Sequence, residues 1–211
     1  MGIPAEEIRE KANAIRRQIA ADRRALHQIP EIGTDLPQTS AYIKKRLDEM
    51  QIQWKDCGGS LSPKMTADYI SAGFPKMEKE TGVAAVIGRG EPCILLRADM
   101  DALPIREENG LDFCASNGWG HMCGHDSHAA MLLGAAQILK SMEDRLEGTV
   151  KLMFQPGEET GAGARLMVED GILDNPRVDA AFGLHVQPTD TTGQIGYAIG
   201  VNSASLDTFI L

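Results

Sequence analysis

Apolar residues recur at helical spacing between charges over residues 5–28, where Ile8, Ala12, Ile15, Ile19, Ala20 and Leu26 predict an amphipathic surface helix closed by Pro30. The same criterion predicts a second helix over about 39–50. Residues 57–75 carry Gly58-Gly59, Ser60 and several helix breakers, and read as an exposed, turn-rich excursion. Beyond it the pattern changes. Residues 82–88, 93–98, 149–154 and 178–186 are short apolar runs bounded by glycine, proline or charge, as buried strands are. Between them, 129–142 and 163–169 read as helices, and the first has almost no polar face before Lys140, so it should be buried. Strand and helix alternate, which predicts an α/β fold with a central, mostly parallel sheet flanked by helices. Residues 194–199 and 206–211 are two further strand-like runs.

Composition narrows the function classes. At 211 residues, 43% apolar and 24% charged, the chain is long enough to bury a core and lacks the polarity of a disordered one. Thirty acidic against 21 basic residues give a net charge of −9, and the cations are scattered apart from pairs such as Arg16-Arg17 and Arg23-Arg24. That argues against nucleic acid as a partner. No apolar stretch approaches the roughly 18 residues of a membrane span, and residues 1–22 form a charged start without a signal-peptide core. A cytoplasmic protein without a membrane partner is expected. The four cysteines, Cys57, Cys93, Cys114 and Cys123, are irregularly spaced, which favours free thiols or a metal ligand over a disulfide framework.

Three of the five histidines fall in His121-Met-Cys-Gly-His-Asp-Ser-His128, with Cys123 among them. Imidazole and thiolate are ligands of zinc and neighbouring transition dications, and Gly124 lets the chain turn so that Cys123 and His125 aim at one place. Residues two apart do not share a helix face, so this pair should act from a loop ahead of the buried helix, with Asp126 and Ser127 near its N-cap. His121 and His128 fit better as supporting residues than as ligands. In Phe154-Gln-Pro-Gly-Glu-Glu159 two carboxylates follow a buried strand. Adjacent residues of an extended chain point to opposite sides, so one carboxylate could hold a metal while the other serves as general base. Asp99 and Asp101 share strand parity at the end of another apolar run. His185, alone in an apolar run, would pass for a core residue without this company. Cys123 as a catalytic nucleophile is the competing chemistry, but its acidic company would raise the thiol's pKa and favours a dication. No His-Glu-x-x-His, Gly-x-Ser-x-Gly or Walker-type loop is present.

Taken in order, Arg97-Ala-Asp-Met-Asp-Ala-Leu-Pro104, the 121–128 cluster, Phe154-Gln-Pro-Gly-Glu-Glu159 and Gly183-Leu-His-Val186 resemble the aminoacylase/carboxypeptidase family of metallopeptidases. The nearest branch is the amidohydrolases that include hippurate hydrolase and indole-acetyl-amino-acid hydrolase. The resemblance begins near Arg24-Ala-Leu-His-Gln-Ile-Pro-Glu-Ile-Gly33. It implies a metal-dependent exopeptidase-like domain with two divalent transition metal ions, zinc or manganese, with cobalt or nickel as further options. Cys123, His125, Glu159 and His185 match the family's ligand positions, Glu158 its general base and Asp101 a carboxylate that orients a ligand. The implied substrate is an N-acyl amino acid or a small peptide-like amide. Family members are longer, with a lid or dimerisation domain that supports homodimers, then a return to the catalytic domain bearing a last histidine ligand. Residues 1–203 are therefore expected to be the N-terminal part of the catalytic domain, truncated at its C-terminus, and 204–211 the first strand of the missing lid domain. Weak or absent activity is expected of such a piece, the alternative being a metal-binding remnant without turnover. Residues 57–79 are longer than the family's usual connection there.

Overall fold

The computed structural model describes residues 2–71, 76 and 79–200. Two helices, α1 (Ala5–His27) and α2 (Pro37–Glu49), precede strand β1 (Trp54–Ser60) and helix α3 (Pro63–Ser71). Strands β2 (Lys79–Arg89) and β3 (Cys93–Asp99) lead to helix α4 (His125–Lys140), strand β4 (Gly148–Gln155), helix α5 (Gly163–Glu169) and strand β5 (Ala180–Gly183).

The five strands form one mixed sheet in the order β1-β2-β4-β3-β5. The parallel unit expected from the alternation is β4-β3-β5, and β1 and β2 extend it as an antiparallel flank. One face of the sheet offers Val83, Ala85, Ile87, Leu152 and Phe154 to Leu26, Ile43, Leu47, Leu132, Leu133 and Ala136 of α1, α2 and α4, forming the main core. The other face packs Ala84, Leu95 and Met153 against Met167 and Ile172. Alternation along the strands thus feeds two apolar layers, which is why these runs carry almost no polar positions. Register sets the position of the chemistry. Asp99 pairs with Gln155 and Arg97 with both Met153 and Gly183, so the segments leaving β3, β4 and β5 emerge together at one edge. The carboxyl edge of parallel strands is where α/β sheets place their sites.

Several expectations need correction. Residues 57–71 do not form an excursion: Cys57 is 1% exposed within β1, and α3 follows. The glycines mislead because Gly58 adopts φ +134 where β1 passes close over Glu80, a site at which a Cβ would lie 2.4 Å from Oε2. Residues 72–75 of that stretch lie outside the described residues. The run at 178–186 contributes only the four residues of β5, all exposed at the sheet edge, and His185 lies beyond its end. Residues 194–199 form no strand, and Ile195 is 86% exposed. The run at 206–211 and the boundary at 203/204 fall outside the described residues. Helix α4 starts at His125, and its N-cap is Gly124 in the left-handed region at φ 82. Asp126 caps nothing because Arg23 and His27 take its carboxylate. Among the described residues no helix is long and apolar enough to cross a membrane.

Candidate metal centre

Three segments meet at the carboxyl edge of the parallel strands. Cys123 sits in the turn before α4, and the positive φ of Gly124 brings it back beside the 184–186 segment. A Cβ at Gly124 would lie 2.4 Å from Val186 Cγ2, so the close approach itself requires glycine. Cys123 Sγ is 3.4 Å from His185 Nε2. His125, the first residue of α4, is fully buried, and its Nε2 lies 3.8 Å from Glu159 Oε1 and 4.0 Å from Glu158 Oε2. Ligand atoms of Cys123, His125 and His185 all lie within 4.8 Å of one another, and so do those of His125, Glu158 and Glu159. The fold therefore gathers all five residues singled out as ligands or base around His125.

The donor set fits transition dications. His125 Nε2 and Glu159 Oε1 are both buried and have no hydrogen-bond partner among the described residues. Their 3.8 Å separation is too long for a hydrogen bond, yet suits atoms sharing an ion at roughly 2.0–2.3 Å from each. One thiol, two imidazoles and carboxylate oxygen make a mixed soft and hard set of the kind zinc and its neighbours accept.

Two aspartates hold this arrangement from behind. Asp101 Oδ1 lies 3.2 Å from His125 Nδ1, and its Oδ2 accepts the backbone N–H of Glu159 at 3.1 Å. Asp99, fully buried, accepts from His128 Nδ1 at 2.5 Å and pairs with Arg97 at 2.8 Å. Asp99, His125 and His128 also lie close enough to hold an ion, but hydrogen bonding excludes His128. Its Nε2 accepts the N–H of Val186 at 2.8 Å, so the ring is a neutral imidazole with its proton on Nδ1 and no lone pair to spare. His128 therefore supports, as the sequence suggested. His185 donates Nδ1–H to the Val186 carbonyl at 2.7 Å, which leaves Nε2 turned towards Cys123.

The pocket's field is negative. Burial, then the charges of Glu159, Glu158 and Asp99, push the Cys123 thiol up to about 12, which disfavours a free thiolate nucleophile. Burial and the neighbouring Glu159 also raise Glu158. Burial would lower His125, but Asp101, Asp99 and Glu159 outweigh it and raise its pKa. For Asp99 burial works upward, and His128, His125 and Arg97 prevail to hold the carboxyl below its usual range. Such a concentration of anions calls for cations. Sequence reasoning does not find Arg97 as the partner of Asp99, although their shared strand parity is the available signal.

Residues 95–209 match the profile of Peptidase family M20/M25/M40. An N-acetyl-L-cysteine deacetylase of Bacillus subtilis is 41% identical over 93% of this chain and 43% of its own length. The IAA-amino acid hydrolase ILR1-like 5 of Arabidopsis thaliana is 41% identical over 89% of this chain and 38% of its own. Among solved structures, the Bacillus subtilis YXEP protein, described as a dinuclear metal binding peptidase from the M20 family, superimposes with a TM-score of 0.69. It is 37% identical over 84% of this chain and 45% of that one. A putative aminohydrolase from methicillin-resistant Staphylococcus aureus gives a TM-score of 0.77 at 31% identity, over 90% of this chain and 44% of that one. The chain thus spans less than half the length of these relatives. By sequence and by fold, the chain belongs to Peptidase family M20/M25/M40.

Proposed function

We propose that this chain forms the N-terminal part of the catalytic domain of a metal-dependent amidohydrolase that cleaves N-acyl amino acids or small peptide-like amides. The carrying observation is the convergence on His125 of Cys123, Glu158, Glu159 and His185, with His125 Nε2 buried and without a partner among the described residues. In this reading Cys123, His125, Glu159 and His185 hold two divalent transition ions, zinc or manganese with cobalt or nickel sharing the same ligand taste. Such ions, when bound, polarise an amide carbonyl and make water acidic enough to supply hydroxide near neutrality. The names of the Bacillus and Arabidopsis relatives, a deacetylase of N-acetylcysteine and a hydrolase of IAA-amino acids, support an amide on an amino-acid nitrogen as the bond broken.

Glu158 does the proton work. It is partly exposed where His125 is not, so it faces the mouth of the site while Glu159 turns inward. Burial and the Glu159 charge raise its affinity for a proton, which suits a base that takes a proton from water and returns it to the leaving amine nitrogen. Asp101 keeps His125 Nδ1 engaged and thereby leaves Nε2 as the coordinating atom.

Metal analysis of the purified protein beside its Cys123→Ser variant tests this reading. Bound metal in the wild type and its loss in the variant are expected, and unchanged metal content in the variant overturns the ligand set. Glu158→Gln should keep its metal, and whatever amide turnover the wild type shows should fall about 10²- to 10⁴-fold in it. Full turnover in that variant overturns the role of the base.

A further inference from the structure

Outside the ligand set, His27 stands between two carboxylates. It lies at the end of α1, is 3% exposed, and its Nδ1 is 2.7 Å from Asp126 Oδ2 in the first turn of α4. Its Nε2 is 2.6 Å from Oε1 of Glu107, in the connection between β3 and α4. Both carboxylates already act as acceptors elsewhere. Asp126 Oδ2 also takes the Arg23 guanidinium at 2.8 Å, while Glu107 accepts from Asn109 Nδ2 at 2.6 Å and from the Ala115 N–H at 3.1 Å.

A neutral imidazole owns one N–H and one lone pair. Between two ionised carboxylates the lone pair would face an anion at under 3 Å, so the ring must carry both protons. Charge balance agrees, since Arg23 and His27 meet Asp126 and Glu107 one for one. The other groups facing the ring are Phe113, in a T-shaped contact and with Arg23 and Arg24 over its own ring, and His121 with its centroid 6.2 Å away. The hydrogen bond to Asp126 raises the pKa of His27 against the pull of burial, and Glu107 adds to it.

The connection that Glu107 belongs to has a neck. Leu103 and Gly120 exchange both backbone hydrogen bonds at 3.1 Å, and the chain then runs directly into His121, Cys123 and His125. His27 is the tie between this loop and the helix that carries His125. We propose that His27 is a positioning residue, a doubly protonated clasp between Glu107 and Asp126 that holds the 121–125 segment in its ligating arrangement. Loss of one ring proton releases one carboxylate and cuts the tie, whichever side lets go. The last step rests on the metal reading of the site, whereas the ring's protonation does not.

Long-range ¹H–¹⁵N spectra of the protein read the ring directly. At pH 6.5, where an ordinary histidine is half neutral, both ring nitrogens of His27 should be protonated, with the neutral form appearing only at higher pH. A neutral tautomer at pH 6.5 overturns the clasp. Hydrogen exchange of residues 104–119, corrected for its intrinsic pH dependence, should accelerate at least about tenfold as the ring titrates, and at every pH in His27→Gln. Exchange that ignores the titration overturns the tie. Cobalt(II) affinity should fall about 10- to 100-fold in His27→Gln. Equal affinity in variant and wild type overturns the positioning step. A wild type that binds no cobalt overturns the metal reading and the positioning with it, while the ring spectrum still decides the clasp.

Discussion

Asp101 engages His125 through one carboxylate oxygen, 3.2 Å from Nδ1, and fastens the backbone of Glu159 with the other, at 3.1 Å. One side chain thus sets the distance between a buried imidazole at the start of α4 and a carboxylate from the turn after β4. Asp101→Ala removes both restraints together. Metal affinity should drop about 10- to 100-fold, the usual cost of losing a group that orients a ligand. Titration against a competing chelator measures it, and wild-type affinity in the variant would show that Asp101 is dispensable.

His128 transmits order in another direction, from buried Asp99 to the N–H of Val186 beside His185. Truncation to Ala leaves a buried carboxylate short of a donor and a backbone N–H without its acceptor. The expected cost is about 1–3 kcal/mol of stability. Metal binding should weaken as well, because the segment bearing His185 loses its anchor to α4. Urea unfolding together with a metal titration of His128→Ala checks both effects.

Thiol reactivity separates the metal reading of Cys123 from the nucleophile reading. With its pKa pushed up to about 12 by burial and then by Glu159, the metal-free thiol should alkylate slowly with iodoacetamide throughout pH 7–9. Cys57 and Cys93 are 1% and 0% exposed and should be slower still in the folded state, leaving Cys114 to react first. Peptide mapping after timed alkylation gives the order, and rapid labelling of Cys123 at neutral pH would revive the nucleophile.

Glu80 makes stability depend on pH. It is 5% exposed, neither oxygen has a hydrogen-bond partner among the described residues, and burial followed by the charge of Asp170 raises its pKa to about 8. A raised carboxyl pKa means that the folded state resists ionisation. The contribution is fully present below the ordinary value of 4.5 and is lost as pH climbs from there to about 8. Glu80→Gln removes the titration while keeping the shape. Relative to this variant, the wild type should lose a few kcal/mol across that window, at roughly 1.4 kcal/mol for each tenfold difference in proton affinity between the folded and unfolded states. Chemical unfolding of both proteins between pH 5 and 8 tests it, and parallel profiles would refute the assignment.

The local pattern carries far. Helical spacing locates α1 and α2 to within a few residues, and the largely apolar runs mark β2, β3 and β4, because each buries side chains on both faces of the sheet. It fails where glycine has a tertiary reason. Gly58 looks like a breaker and is a strand residue fitted over Glu80. Asp126 looks like a cap and is held by His27 and Arg23, which lie about a hundred positions away in sequence.

The ligand candidates were legible only in company: the 121–128 cluster and the Glu158-Glu159 pair stand out by type and spacing, while His185 becomes a candidate only beside them. Long-range structure decided the rest: which oxygen of Asp101 meets His125, that His128 spends its lone pair on Val186, and that His27 bridges two carboxylates. Residue type and local periodicity reside in neighbouring positions of the chain. Hydrogen-bond partners, protonation and burial arise only when strands and helices distant in sequence are packed together, and no short window of sequence contains them.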